Sequence, residues 1–215
     1  MTRLKLYVGN KNYSSWSMRP WLALKAAGVD FDDEVIPFDF PNGNPAIRAI
    51  SETGRVPVLE HDGFKVWESL AIIGYVAELF PEKRFWPEDR QDRALARAWS
   101  LEMATGFRAL RNACPMNLRR PPKALAVTPD MQADIDRIIR IWSQARKKSG
   151  GPYLFGTFSA VDAMFAPVVN RFETYVLTDD PEALDYMTAM KAHPAWIAWA
   201  ADAARETWIV PEDEA

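Results

Sequence analysis

The order of hydrophobic periodicities along the chain predicts an α/β unit built on a mixed four-stranded sheet, followed by an all-helical half. Three observations carry that fold class. The patterns strand, helix, strand, helix, strand, strand and helix follow one another within about the first 80 residues, an order that gives a small sheet covered by helices. Asp62-Gly63, a strong turn signal between two short strand-like runs, supplies an antiparallel hairpin. Beyond the charged, proline-bearing segment Glu82 to Asp89 only helical spacings remain. The expected organisation is an α/β domain over residues 1–81, a linker over 82–89 and a helical domain over 90–215.

Each element has its own warrant. Leu4, Leu6 and Val8 alternate with Arg3, Lys5 and Tyr7, the period of a strand with one buried face. From Ser17 the spacing becomes helical, with Trp21, Leu24 and Ala27 on one face, until Gly28 stops it. Phe31 to Pro37 reads as a second strand, and Ala46–Ile50 as one or two helical turns after a turn-rich loop. The hairpin pairs Val56–Glu60 with Phe64–Trp67, and Leu70, Ile73, Ala77 and Phe80 mark a helix ended by Pro81. In the second half, Leu95, Trp99, Met103 and Leu110 form one stripe, and Met131, Ile135, Ile138, Trp142 and Ala145 another. The proline-rich stretch Cys114 to Pro129 loops or kinks between them. Ser159 to Asp162 has the form of a capping box opening an apolar helix through Val176, and Pro181 and Pro194 each start a further helix.

Composition narrows the function. A hydrophobic fraction of 48% and an aromatic fraction of 12% indicate a globular chain rather than a disordered one. A formal charge of -3 gives no electrostatic reason to expect nucleic acid or an anionic membrane surface as partner. The single cysteine, Cys114, allows no internal disulfide, and the N-terminal residues lack the apolar core of a signal peptide, so a cytoplasmic location is expected. Two histidines and one cysteine, far apart, give no metal-ligand cluster of usual spacing, so no metal is expected.

The stretch Gly54 to Ser69 does not fit an ordinary hairpin. Pro57 sits where a strand should begin and removes a backbone donor, which requires an edge, a strand start or a cis Val56-Pro57 bond. Glu68-Ser69 stands at a helix entry, whose free N–H groups suit a carboxylate. Such an element order, with Val-Pro opening the third strand, Glu-Ser at the last helix of the first half and an all-helical second half, resembles the cytosolic glutathione S-transferases over essentially the whole chain. The resemblance implies a thioredoxin-like first domain, a cis proline at Pro57 and a homodimer. It also implies that the Val56 backbone pairs with the cysteinyl part of glutathione, while Glu68 and Ser69 hold its γ-glutamyl end.

The loop after the first strand then assigns the chemistry. Ser14-Ser15-Trp16-Ser17-Met18-Arg19 occupies the place of the thioredoxin Cys-x-x-Cys and carries no sulfur of its own but Met18, so a bound thiol must supply the nucleophile. The segment is similar to the Ser-Ser-Cys-x-x-Arg signature of the zeta class, which includes maleylacetoacetate isomerases, and departs from it at Trp16. By that match Ser14 is the catalytic hydroxyl with Ser15 beside it. A free thiol with a pKa of roughly 8.5 is mostly protonated at neutral pH, and a hydroxyl donating to the sulfur stabilises the thiolate specifically. The helix beginning near Ser17 adds its positive end.

The expected function is therefore a serine-type glutathione transferase, with glutathione as cosubstrate, acting on a small electrophile, in the manner of a detoxification enzyme. The alternatives are a zeta-like isomerase and a non-catalytic module that binds glutathione or a partner protein. Met103, Phe107, Leu110 and Arg111 are expected to line the electrophile pocket. Arg55 either touches the ligand backbone or is merely solvated, Arg19 is expected in a structural ion pair, and Arg171 is expected at the surface.

Overall fold

The computed structural model describes residues 3–214. Its sheet has the order β2-β1-β3-β4, with β1 (Leu4–Val8) parallel to β2 (Asp32–Val35) and antiparallel to β3 (Val58–His61), which pairs antiparallel with β4 (Phe64–Trp67). Leu4, Leu6 and Val8 are buried on the face covered by the helices, and Leu6 stands opposite Leu59. At the β3–β4 turn Asp62 and Gly63 both take positive φ (49° and 89°), the pairing that a tight two-residue hairpin demands. Strand β2 is shorter than its expected span and mostly exposed; its sequence is acidic rather than alternating. It persists at the edge because its charges meet cations on and after β1: Lys5 with Glu34 at 2.6 Å and Lys11 with Asp33 at 2.7 Å.

The helices of the first half are α1 (Ser15–Ala26), α2 (Pro45–Ile50) and α3 (Ser69–Leu79). The second half consists of α4 (Arg90–Thr105), α5 (Arg108–Ala113), α6 (Pro129–Ser149), α7 (Ala160–Thr174), α8 (Pro181–Ala192) and α9 (Pro194–Arg205). Start and stop chemistry is local. Thr128, Asp180 and His193 each accept a first-turn amide just ahead of a proline, and Gly150 ends α6 with φ 67°.

The helix expected to run through Leu95 and Leu110 is instead two helices. Gly106 ends α4, and Phe107, at φ 53°, redirects the chain into α5. A Cβ on Gly106 would lie 2.8 Å from the Glu102 carbonyl oxygen, so the turn tolerates no side chain there. The Arg111 guanidinium donates to the carbonyls of Ala104 and Gly106 and so satisfies the broken helix end.

Helix α7 is the post on which the halves are built. Nearly every residue is buried, with α1 on one side and α4 and α8 on others. Its capping box forms: the Asp162 carboxylate accepts from the Ser159 amide and hydroxyl, and also from the Leu154 amide at 3.0 Å and the Tyr186 hydroxyl at 3.1 Å. Burial nevertheless wins over these four donors and pushes the Asp162 carboxyl up from 3.8 to about 6. Between those values the folded protein keeps a proton that the unfolded chain has released. The contribution of this group to stability is therefore greatest at low pH and declines as pH rises toward 6. Urea unfolding of wild type and Asp162→Asn at about pH 5 and about pH 7 is expected to show the wild type losing roughly 1.4 kcal/mol relative to the variant between the two, the worth of one pKa unit. A pH-independent difference would contradict that raised carboxyl.

Candidate active site

The loop from β1 to α1 is pinned from three directions before it presents any side chain. The Asn10 carbonyl accepts the amides of Tyr13 and Ser14, at 3.0 and 2.8 Å. From the far end of the chain, the Glu206 carboxylate accepts the amides of Lys11 and Asn12, at 2.6 and 3.0 Å. The Asn12 side chain in turn receives the Arg119 amide and donates to Asn117 Oδ1, both at 2.9 Å. Lys11 is buried, its ammonium held by Asp33 and Asp202 and lying over the rings of Trp21 and Trp199. The Arg119 guanidinium and Glu214 both reach the Tyr13 hydroxyl.

The two serines it delivers are not equivalent. Ser14 is 5% exposed and caps α1: its Oγ accepts the Ser17 amide at 3.4 Å and donates to Ser17 Oγ at 2.7 Å. Ser17 Oγ also accepts the Gly9 amide. The approach is close, since a Cβ on Gly9 would lie 3.1 Å from Ser14 Oγ and 2.5 Å from the Phe38 ring. Ser15, the first residue of α1, is half-buried, and among the described residues its hydroxyl has no protein partner. The proton of Ser14 is committed; that of Ser15 is available.

Both serines border a cleft of about 540 Å³, walled by Phe38 and Ile47 on one side and Met116 on the other. It adjoins a recess of about 220 Å³ lined by Pro57, Trp67, Glu68 and Ser69, and Trp16, Arg55, Val56 and Arg111 border both. The Val56-Pro57 bond is cis, and β3 starts only at Val58, so Val56 lies outside the sheet ladder. Glu68, at φ 67°, precedes the open end of α3 without capping it, and the Ser69 hydroxyl donates to the Trp16 carbonyl at 2.6 Å. The structure thus brings Ser14, Ser15, Arg55, Val56, Pro57, Glu68, Ser69 and Arg111 around one continuous space.

The other three pocket residues expected from sequence lie elsewhere. Met103, Phe107 and Leu110 are core residues and border neither cavity. They belong to the buried stripe of α4 and α5, and only Arg111, beyond the helix break, turns toward the cleft. Arg171, expected at the surface, is 5% exposed and borders the cleft from α7. An arginine within a mostly apolar helix was the available signal. Among the described residues Arg19 has no carboxylate partner; it is fully buried and donates to the carbonyls of Met164 at 3.0 Å and Ser15 at 2.9 Å. Trp16 lies between two guanidinium groups, Arg19 at 4.2 Å and Arg111 at 4.8 Å from its ring centre. Cys114 is buried behind Arg171, which donates to its carbonyl at 2.7 Å, and burial pushes its thiol up to about 11.

Comparison with known proteins gives one family. Models described as the N-terminal and C-terminal domains of glutathione S-transferase match residues 13–79 and 125–202. A maleylacetoacetate isomerase of Rattus norvegicus is 28% identical over 82% of this chain and 81% of its own length. A probable maleylacetoacetate isomerase of Caenorhabditis elegans is 36% identical, but the match spans only about half of either protein (50% and 49%). Among solved structures, a glutathione transferase homolog from Burkholderia gl BGR1, with bound glutathione, superposes with a TM-score of 0.73 at 25% identity, covering 95% of this chain and 99% of that one. A glutathione transferase Omega 3C from Trametes versicolor, 23% identical with a TM-score of 0.67, shares the fold, covering 91% of this chain and 88% of that one.

The clamp on the loop is directly testable. Glu206→Ala leaves the Lys11 and Asn12 amides without their acceptor and is expected to cost about 1–3 kcal/mol of stability. Amide hydrogen exchange should accelerate at Lys11 and Asn12 while the β1 amides stay protected; unchanged exchange at both loop amides would refute the clamp.

Proposed function

We infer the activity from the premise that this chain belongs to the glutathione S-transferase family: it binds glutathione and adds its sulfur to a small electrophile. The observation that carries the reading is the unpartnered Ser15 hydroxyl at the N-terminus of α1, opening on a cleft that continues past Val56 to Ser69. Residues 1–81 seat glutathione and the helices over 90–215 wall the electrophile.

The γ-glutamyl carboxylate lies at the open end of α3, where the first amides have no helical acceptor and Ser69 and Glu68 stand on either side. The Val56 backbone, free of the sheet, pairs with the cysteinyl unit. That pairing points the thiol toward the β1–α1 loop. There the Ser15 hydroxyl donates to sulfur, the positive end of α1 adds to it, and the thiol releases its proton to water. The thiolate forms the carbon–sulfur bond, and the electrophile expels its leaving group or takes up a proton. Ser14, whose hydroxyl is spent on Ser17, holds Ser15 in place. The serine is a hydrogen-bond donor throughout and never a nucleophile.

A second reading is supported by the isomerase relatives and by the Ser-Ser pair: the sulfur adds to a double bond, rotation follows, and the sulfur leaves again. Binding without turnover is less well supported, because the cleft beside Trp16 remains roomy. A cytoplasmic homodimer with a role in detoxification accords with the family. Exposed Phe64 and Leu101 are available as apolar anchors for such a dimer.

Ser15→Ala is expected to raise the pKa of bound glutathione by about one unit and to lower kcat/KM about tenfold or more. Ser14→Ala should act first on stability, by about 1 kcal/mol, the usual worth of a cap. Thiolate absorbance and turnover unaltered in Ser15→Ala would overturn the assignment. Light scattering should return a species heavier than the 24.4 kDa chain; a monomer would remove the dimer.

A further inference from the structure

Pro20 lies inside α1 and has no N–H to give the Trp16 carbonyl, four residues before it in the helical ladder. Its ring also crowds that carbonyl, so the ladder is interrupted one residue after Ser15. The vacancy is filled from outside the helix: the Ser69 hydroxyl, 53 positions away in sequence, donates to the Trp16 carbonyl at 2.6 Å. Ser69 is 2% exposed, and a serine hydroxyl has one proton to give. A carboxylate could take that proton only from the Trp16 carbonyl, for which Pro20 offers no substitute. Other donors for a carboxylate are at hand. Among the described residues the amides of Ser69, Leu70 and Ala71 at the start of α3 have no acceptor, since the first helical bond there runs from the Ile72 amide to the Glu68 carbonyl. Trp16 and Ser69 both line the recess at this helix end, so the glutathione seat and the turn that bears Ser15 share one wall.

We propose that Ser69 is a positioning residue for the activating serine: its hydroxyl stands in for the amide that Pro20 lacks and ties the first turn of α1 to α3, while the γ-glutamyl carboxylate is left to the α3 amides. This deepens the transferase reading and rests on it. It also changes the part that the family resemblance gives Ser69, from a hydroxyl that holds the ligand to one that holds the loop activating it. Two successive carbonyls of that turn are each held by a side chain: Ser15 receives the Arg19 guanidinium at 2.9 Å, and Trp16 receives the Ser69 hydroxyl. The Trp16 ring is fixed as well, between Arg19 and Arg111. The Ser15 hydroxyl is thus aimed by the helix whose N-terminus receives glutathione, and one hydrogen bond holds the spacing between carboxylate seat and thiol donor.

The test compares Ser69→Ala in the full chain with the same substitution in a Pro20→Ala background, where an amide at position 20 can serve the Trp16 carbonyl. In the wild-type background Ser69→Ala is expected to raise the pKa of bound glutathione by about one unit and to lower kcat/KM about tenfold. Calorimetric affinity for S-methylglutathione, which keeps both carboxylates but has no thiol to ionise, should change less than about threefold. In Pro20→Ala the same substitution should move thiol pKa and turnover less than about twofold, because the carbonyl no longer depends on Ser69. An affinity loss of about tenfold or more with the thiol pKa unaltered would return the Ser69 hydroxyl to the ligand and overturn the proposal. So would an equal penalty on thiol pKa in both backgrounds. Should Pro20→Ala fail to fold, the split between thiol pKa and S-methylglutathione affinity in Ser69→Ala decides alone. A ligand-free arm separates this inference from the activity it rests on: in urea unfolding, Ser69→Ala should shift the equilibrium about fivefold in the wild-type background and clearly less in Pro20→Ala. Additive shifts would sink the positioning role alone; wild type that neither binds S-methylglutathione nor turns over any electrophile would sink the transferase reading.

Discussion

The arrangement depends on a positive charge buried where α1 meets α7. Arg19 spans the junction, with one nitrogen on the Ser15 carbonyl in its own helix and another on the Met164 carbonyl in the facing one. Burying an ion is unfavourable, and here the cost is offset by two carbonyl dipoles and the face of Trp16 rather than by an opposite charge. The bond that docks the two halves therefore also sets the turn of backbone that carries the Ser15 hydroxyl. Packing and chemistry share one side chain, so a change that loosens the interface also misplaces the hydroxyl.

A second dependence runs from the end of the chain to its beginning. Glu206 bonds to the amide of a residue 195 positions away, and Arg119 ties Tyr13 to the carbonyls of Glu206 and Trp208. Contacts of such separation are entropically late to form, because the intervening chain must already be compact. The hydrogen bonds that hold the β1–α1 loop are thus completed by the segment after α9. The loop's precision is a property of the whole chain and not of the sheet that bears it.

This explains which parts were legible in the sequence. Strand β1, the Asp62-Gly63 turn, the capping box at Ser159 and the prolines that open α8 and α9 are governed by near neighbours, and near neighbours are what a sequence displays. The break at Gly106 was legible only in part: a glycine inside a helical stripe is compatible with either continuity or a turn, and the deciding clash with the Glu102 carbonyl exists only in three dimensions. Expecting Met103, Phe107 and Leu110 at the cleft followed from that unbroken stripe. Arg171 is buried despite its charge because the apolar run around it turns α7 into the core on nearly every side. The Glu206 clamp left no local trace, and neither did the different fates of two adjacent serines, which depend on where Ser17 points.

The placement of Cys114 has a consequence for how such a protein coexists with its cosubstrate. A catalyst that gathers a small thiol and activates it is exposed to that thiol's oxidised form, and any accessible thiolate of its own would be captured as a mixed disulfide. Here the one sulfhydryl is sealed in the core behind Arg171 and held protonated far above neutral pH. Cys114 therefore offers the oxidised form of such a thiol no accessible sulfhydryl with which to form a mixed disulfide.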